Sequence, residues 1–225
     1  MKSAADGYFY GGFYQFATSN GMFANVTVGR PELSKNDSHT LAELAAESAD
    51  SKNIVEVGWT VDRSRPPNDD FPRLFVFRWV DGKPGCYNGC GWVQESASIR
   101  PGMVLTTGSK PKFDIEHTGS RWVIRYDGET VGHFPDSLWG GKFTQAGLVQ
   151  WFGEVSVTNG NTKPCTDMGN GLAPNSRQAA AATGMGLHGG PALSLTKSVT
   201  DGTLYNARTI TSNSMRFGGP GSGPC

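Results

Sequence analysis

The chain has 225 residues, with 31 glycines, 13 prolines and charged side chains at only 18%, so Gly and Pro make up roughly a fifth of it against a usual level near an eighth. Twenty lysines and arginines balance twenty aspartates and glutamates, which leaves no summed field to attract phosphate backbones or anionic lipid. No apolar run approaches the ~18 residues of a spanning helix, so the expectation is one turn-rich domain over residues 1–225, a monomer, with neither nucleic acid nor a membrane as partner.

The opening residues, Met1 to Gly7, carry no apolar stretch, which predicts either an intracellular protein or one whose leader has been removed. From Tyr8 to Phe16 aromatic residues crowd a Gly-Gly step, and Met22 to Val28 follows the Asn20-Gly21 turn signal as a second strand. Residues 39 to 50 read as helix from the propensity of their Leu, Ala and Glu, or as a short connection. Ile54 to Val61 is a strand, and Phe71 to Val80 is another after the paired prolines of the 63–70 loop. Trp92 to Ile99, Met103 to Thr107, Lys112 to His117, Arg121 to Tyr126 and Glu129 to Phe134 follow at short spacing, divided by glycine turns such as Asp127-Gly128. Lys142 to Val157 holds the longest alternation, residues 159–190 have little periodicity, and a last strand or two fall between Leu204 and Met215. Ten or so short antiparallel strands without interleaved helices predict an all-β fold, a β-sandwich or jelly roll of two stacked curved sheets. No internal repeat and no domain boundary is visible.

Four cysteines, Cys86, Cys90, Cys165 and Cys225, fit two disulfides, for which sequence alone allows three pairings. Local pairing is the simplest: Cys86 with Cys90 around a small loop, and Cys165 with Cys225 to tether a glycine-rich tail that gains little from packing. The Cys-x3-Cys spacing is not a zinc pair and no histidine stands at a helpful offset, so no metal is expected. Two triplets, Asn25-Val26-Thr27 and Asn36-Asp37-Ser38, match the N-glycosylation pattern and agree with an exported chain.

Most carboxylates lie in polar surroundings or turns, where they read as solvated surface charge, but two stand among apolar residues in mid-strand. Glu56 lies in Ile54-Val-Glu-Val-Gly-Trp59 and Glu154 in Gln150-Trp-Phe-Gly-Glu-Val-Ser156. Burying such a charge is costly unless it is paired or protonated. Side-chain parity puts Val55, Val57 and Trp59 opposite Glu56, and Val149, Trp151 and Val155 opposite Glu154. Each glutamate thus shares a mixed polar and aromatic face suited to a substrate groove. Neighbouring strands would let the two carboxyls face each other, one keeping its proton as an acid while the other serves as a base. The bland alternative is a solvent-face or ion-paired glutamate, with Arg78 or Arg125 as partner. No Gly-x-Ser-x-Gly elbow, His-Glu-x-x-His pattern or phosphate-cradling glycine loop is present.

At these residues the sequence resembles the neprosin family, secreted glutamic peptidases that prefer to cut after proline. The specific pieces are Ile54-Val-Glu-Val-Gly-Trp59, Gly85-Cys-Tyr-Asn88 leading into Trp92-Val-Gln94, Val149-Gln-Trp-Phe-Gly-Glu154, Asp167-Met-Gly-Asn-Gly171 and Phe217-Gly-Gly-Pro-Gly221 with Cys225. The resemblance implies an antiparallel β-sandwich, catalytic glutamates at Glu56 and Glu154, and a mature form lacking a signal peptide and propeptide. Departures are a short spacer, Tyr87-Asn88-Gly89, in the first Cys loop, and Phe152 where plant members usually carry Gly.

The expected reaction is hydrolysis of peptides rich in proline by a water lying between the carboxyls, in acid, with Glu56 as base and Glu154 as acid and no cofactor. Gln94 and Gln150 are the candidate oxyanion donors, and Trp59, Tyr87 and Trp92 the candidates to stack on a prolyl ring. Two rivals share the aromatic face: a β-jelly-roll glycoside hydrolase using the same two glutamates, and a carbohydrate-binding lectin-like module without turnover.

Overall fold

The computed structural model describes residues 7–158 and 160–225, so the expectation about a leader, which concerns residues 1–6, lies outside the described residues. Fifteen strands form among the described residues: β1 (Tyr8–Ser19), β2 (Gly21–Val26), β3 (Asp37–Glu47), β4 (Ile54–Asp62), β5 (Arg73–Val80), β6 (Lys83–Pro84), β7 (Val93–Gln94), β8 (Lys112–Thr118), β9 (Arg121–Tyr126), β10 (Glu129–Pro135), β11 (Ala146–Val157), β12 (Ala181–His188), β13 (Thr196–Val199), β14 (Asn206–Thr211) and β15 (Ser214–Gly218). They make two antiparallel sheets. One has the order β13-β1-β11-β3-β4-β5-β6 and the other β14-β15-β12-β2-β8-β9-β10-β7.

Period-two alternation explains why these sheets stack. Val55, Val57, Trp59 and Val61 of β4 point one way, as do Val149, Trp151 and Val155 of β11, and all are fully buried. They meet Met22, Ala24, Phe113, Ile115, Trp122 and Ile124 from the second sheet in one continuous core. The two cross-links have the local pairing, Cys86–Cys90 and Cys165–Cys225, with Cα–Cα distances of 5.3 and 5.1 Å.

Several elements differ from the sequence reading. Residues 39 to 50, read as helix or connection, belong mostly to β3, the strand between β11 and β4. There pairing on both sides outweighs the weak intrinsic preference of Leu, Ala and Glu. Trp92 to Ile99 supplies only the two residues of β7, and Met103 to Thr107 only an isolated bridge from Val104 to Arg73. β12 and β13 arise in or just beyond the stretch without periodicity, because β2, β15 and β1 offer edges to pair with.

Candidate active site

The face of the first sheet turned away from the core forms a groove of about 550 Å³, within the size range of small-molecule and peptide-side-chain sites. Register fixes which residues share it. Across β1, β11, β3, β4 and β5, one row reads Tyr10, Glu154, Leu41, Thr60, Arg73. The next reads Gly12, Phe152, Glu43, Gly58, Phe75, and the third Tyr14, Gln150, Ala45, Glu56, Phe77. Glu154 and Glu56 are therefore not on neighbouring strands, the arrangement that would have set the two carboxyls face to face. They stand on either side of β3, two rows apart, and Glu43 occupies the row between them.

That middle row has room for a carboxyl because its β4 member is Gly58. A Cβ there would lie 2.1 Å from the Ala42 carbonyl oxygen and 2.9 Å from the Glu43 Cβ. Any larger residue would have to displace backbone. Gly58→Val is expected to lower both stability and turnover sharply, as read by thermal unfolding and by peptide cleavage.

Each outer glutamate is held by a ring N–H. His39 Nε2 lies 2.7 Å from Glu154 Oε1, and the other ring nitrogen faces Ser38 Oγ at 3.4 Å. The Trp79 indole donates to Glu56 Oε1 at 3.0 Å. At the far end, Gln150 donates through Nε2 to Glu47. Aromatic rings wall the β5 side, with Phe75 and Tyr87 stacked at 5.4 Å between centroids. The Arg65 guanidinium lies 4.4 Å from the Tyr87 ring centroid.

Burial dominates the electrostatics of this floor. It pushes the Glu56 carboxyl up to about 8, with the charges of Glu154 and Glu47 acting in the same direction and the Trp79 hydrogen bond opposing them. Glu43, only 5% exposed, is raised well above the usual carboxylate range by burial first, then by Glu56, Glu154 and Glu47. Glu47 is raised by burial against the opposing hydrogen bonds from Gln150 and Ser51. Desolvation also raises the Tyr87 phenol, against an opposing interaction with the Thr60 hydroxyl.

Of the residues singled out in the sequence, the groove brings together Glu56, Glu154, Gln150 and Tyr87. Three others lie elsewhere. Trp59 has the opposite parity from Glu56, is 0% exposed in the core between the sheets, and donates to the Thr27 carbonyl at 3.0 Å. Trp92 and Gln94 belong with the second sheet, because Val93 and Gln94 pair with His133 and Gly132. The Trp92 ring packs edge-on against Phe134 and its N–H is taken by Gln94, whose own amide donates to the Ser96 and Ile99 carbonyls. Trp59→Ala is thus expected to cost about 3–5 kcal/mol of stability, measured by urea unfolding, as a core substitution rather than a binding one. His39, Glu43 and Glu47 were missed. All three lie on β3, whose helical reading hid the fact that they share one face.

A family model described as Neprosin matches residues 34–220. Among solved structures, scytalido-glutamic peptidase with a transition state analog inhibitor is similar at a TM-score of 0.51 and 10% identity, over 94% of this chain and 98% of that one. Chicken galectin 2 is similar at a TM-score of 0.35 and 12% identity, over 65% of this chain and 96% of that one. At such identities the likeness to the peptidase is one of fold, and the galectin likeness is too slight to bear on function.

Proposed function

The chain belongs to the Neprosin family, a membership that supports a peptidase of the glutamic class, and from that premise we propose that it hydrolyses peptide bonds, preferentially after proline, with Glu56 and Glu154 as the catalytic pair. The observation that carries the reading is the convergence of these two carboxyls, from β4 and β11, on one groove across β3. Two disulfides fit an extracellular setting, and secretion is part of the same proposal.

The environments of the two glutamates support roles opposite to those the sequence suggested. Glu56 is the acid, because burial keeps its proton on at neutral pH. Glu154 is the base: one oxygen is engaged by His39 and the other is left for water. The water oxygen forms a bond to the scissile carbonyl carbon as the C=O pair moves onto oxygen, and the water's proton passes to Glu154. When the carbonyl re-forms, the C–N bond breaks and the departing nitrogen takes the Glu56 proton. Glu154 is left neutral and Glu56 ionised, and proton exchange with solvent restores the starting pair. The aromatic side chains lining the β5 side of the groove, Phe77 and Trp79 beside Tyr87, offer an apolar wall for a prolyl ring.

Because the acid must be protonated, turnover is expected to fall as pH rises past about 8, in a pH–rate profile on a proline-containing peptide. Stability carries the same sign. The folded state holds a proton on Glu56 that the unfolded chain releases near 4.5, so the contribution is complete below that value and is lost as pH climbs towards about 8. Glu56→Gln should flatten this slope in melting temperature against pH.

The deciding experiment is mass-spectrometric mapping of cut sites in a denatured protein mixture at acid pH, with xylan and glucan oligomers incubated in parallel. Cleavage after proline supports the proposal. Oligosaccharide hydrolysis, or binding of sugar without any turnover, would replace it with one of the carbohydrate readings.

A further inference from the structure

The reaction just described needs a hydrogen-bond donor for the negative charge that develops on the carbonyl oxygen. Neither glutamine proposed for it from the sequence is well placed to supply it. Gln94 lies on the other sheet, and Gln150, which gives one amide N–H to Glu47, stands in the row of Glu56, beyond Glu43 as seen from Glu154. Of the acids, Glu56 gives its proton to the nitrogen and Glu154 receives one from water.

We propose that the Glu43 carboxyl, midway between Glu56 and Glu154 on β3, is the third catalytic group and donates the hydrogen bond that stabilises the oxyanion. Its position follows from register. Glu43 sits directly beside Gly58 and Phe152, so Glu56 on one strand and Glu154 on the other are both its diagonal neighbours, at about 7–8 Å between backbones. A carbonyl carbon attacked from the Glu154 side, with its nitrogen turned to Glu56, brings its oxygen over this row. Gly58 presents no side chain beside it, and any Cβ there would run into Glu43 itself.

The surroundings keep the group neutral. The titratable and charged groups lining the groove with it are Glu154 from β11, Glu56 and Asp62 from β4, Glu47 and His39 from its own strand, Tyr8 and Tyr10 from β1, and Tyr87 and Arg65 at the groove's end. Burial is the main cause that favours the protonated form, the charges of Glu56, Glu154 and Glu47 add to it in whichever of them is ionised, and no hydrogen bond from a described residue opposes them. A carboxylic acid held neutral in this way is a strong donor, and it costs no reorganisation when charge appears. Its own proton stays in place throughout, so Glu43 adds no step to the proton balance.

This inference rests on the glutamic-peptidase reading, and the test separates the two. Glu43→Met, which keeps the bulk and removes the donor, should lower kcat on a proline-containing peptide by about 10²–10³-fold with KM nearly unchanged. Glu43→Gln, whose amide N–H can still donate, should stay within about tenfold of the parent and keep the alkaline limb of the pH–rate profile in place. In the infrared spectrum at neutral pH, Glu43→Gln should lose a protonated-carboxyl band that the parent has, which gives a readout even where the Met variant folds poorly. Parental kcat in Glu43→Met, or a glutamine variant as impaired as the methionine one, would overturn the assignment while Glu56→Gln and Glu154→Gln remain dead. Activity persisting in those last two would instead bring down the catalytic pair itself.

Discussion

Glu56→Gln and Glu154→Gln are each expected to lower peptide hydrolysis by about 10²–10⁴-fold or more while leaving the fold intact. Glutamine at position 56 can still accept the Trp79 N–H bond, but its amide has no proton to give the departing nitrogen. At position 154 it cannot take a proton from water, whatever His39 does. Neither change opens a cavity, and at position 56 it removes a buried group that becomes expensive once ionised. Melting temperatures should therefore match or exceed the parent above pH 8, the region where the Glu56 carboxyl ionises at about 8. Full turnover by either variant, measured on the same proline-containing peptide, would remove the acid-base pair as an explanation.

Removing the Cys165–Cys225 cross-link with serine at both positions is expected to cost about 4 kcal/mol, the loop-closure value for its 60-residue separation. The Cys86–Cys90 link, separated by 4, should cost only about 2 kcal/mol by the same relation. The long loop matters to the site as well as to stability. Phe217 near the tethered tail is 0% exposed, and Met168 pairs with Gly219. Both pack under β11 at Gly153, where a Cβ would come within 2.8 Å of each. Loosening the tail therefore loosens the strand that presents Glu154. Urea unfolding midpoints and cleavage rates should fall together in the double-serine variant, and an unchanged midpoint would show that packing alone holds the tail.

Much of this was legible from alternation. The core faces of β4 and β11 were read correctly because Val and Trp recur at alternate positions, which left Glu56 and Glu154 as anomalies on the other face. β3 was not legible for a specific reason. Glu43 and Glu47 are four apart, a spacing that suits one face of a helix as well as one face of a strand, and the Leu-Ala-Glu-Leu-Ala-Ala-Glu run favours helix by composition. The telling signal was the pair Leu44 and Ala46, of one parity, against Glu43 and Glu47, of the other. Trp92 and Gln94 failed differently. Parity says which side of a strand a residue occupies, but not which sheet the strand joins, and the short β7 joins the far one.

Under the proposed mechanism, the pairing of β3 with β11 would also set when the molecule first becomes reactive. His39 and Glu154, which touch, are 115 positions apart in the chain, and contacts of that span close late, after nearer hairpins have already formed. Glu43 and Glu56 share the β3–β4 hairpin, whose strands are near in the chain, while Glu154 comes from the far β11. On the proposed pairing of Glu56 with Glu154, hydrolytic competence would wait for the distant strand to dock.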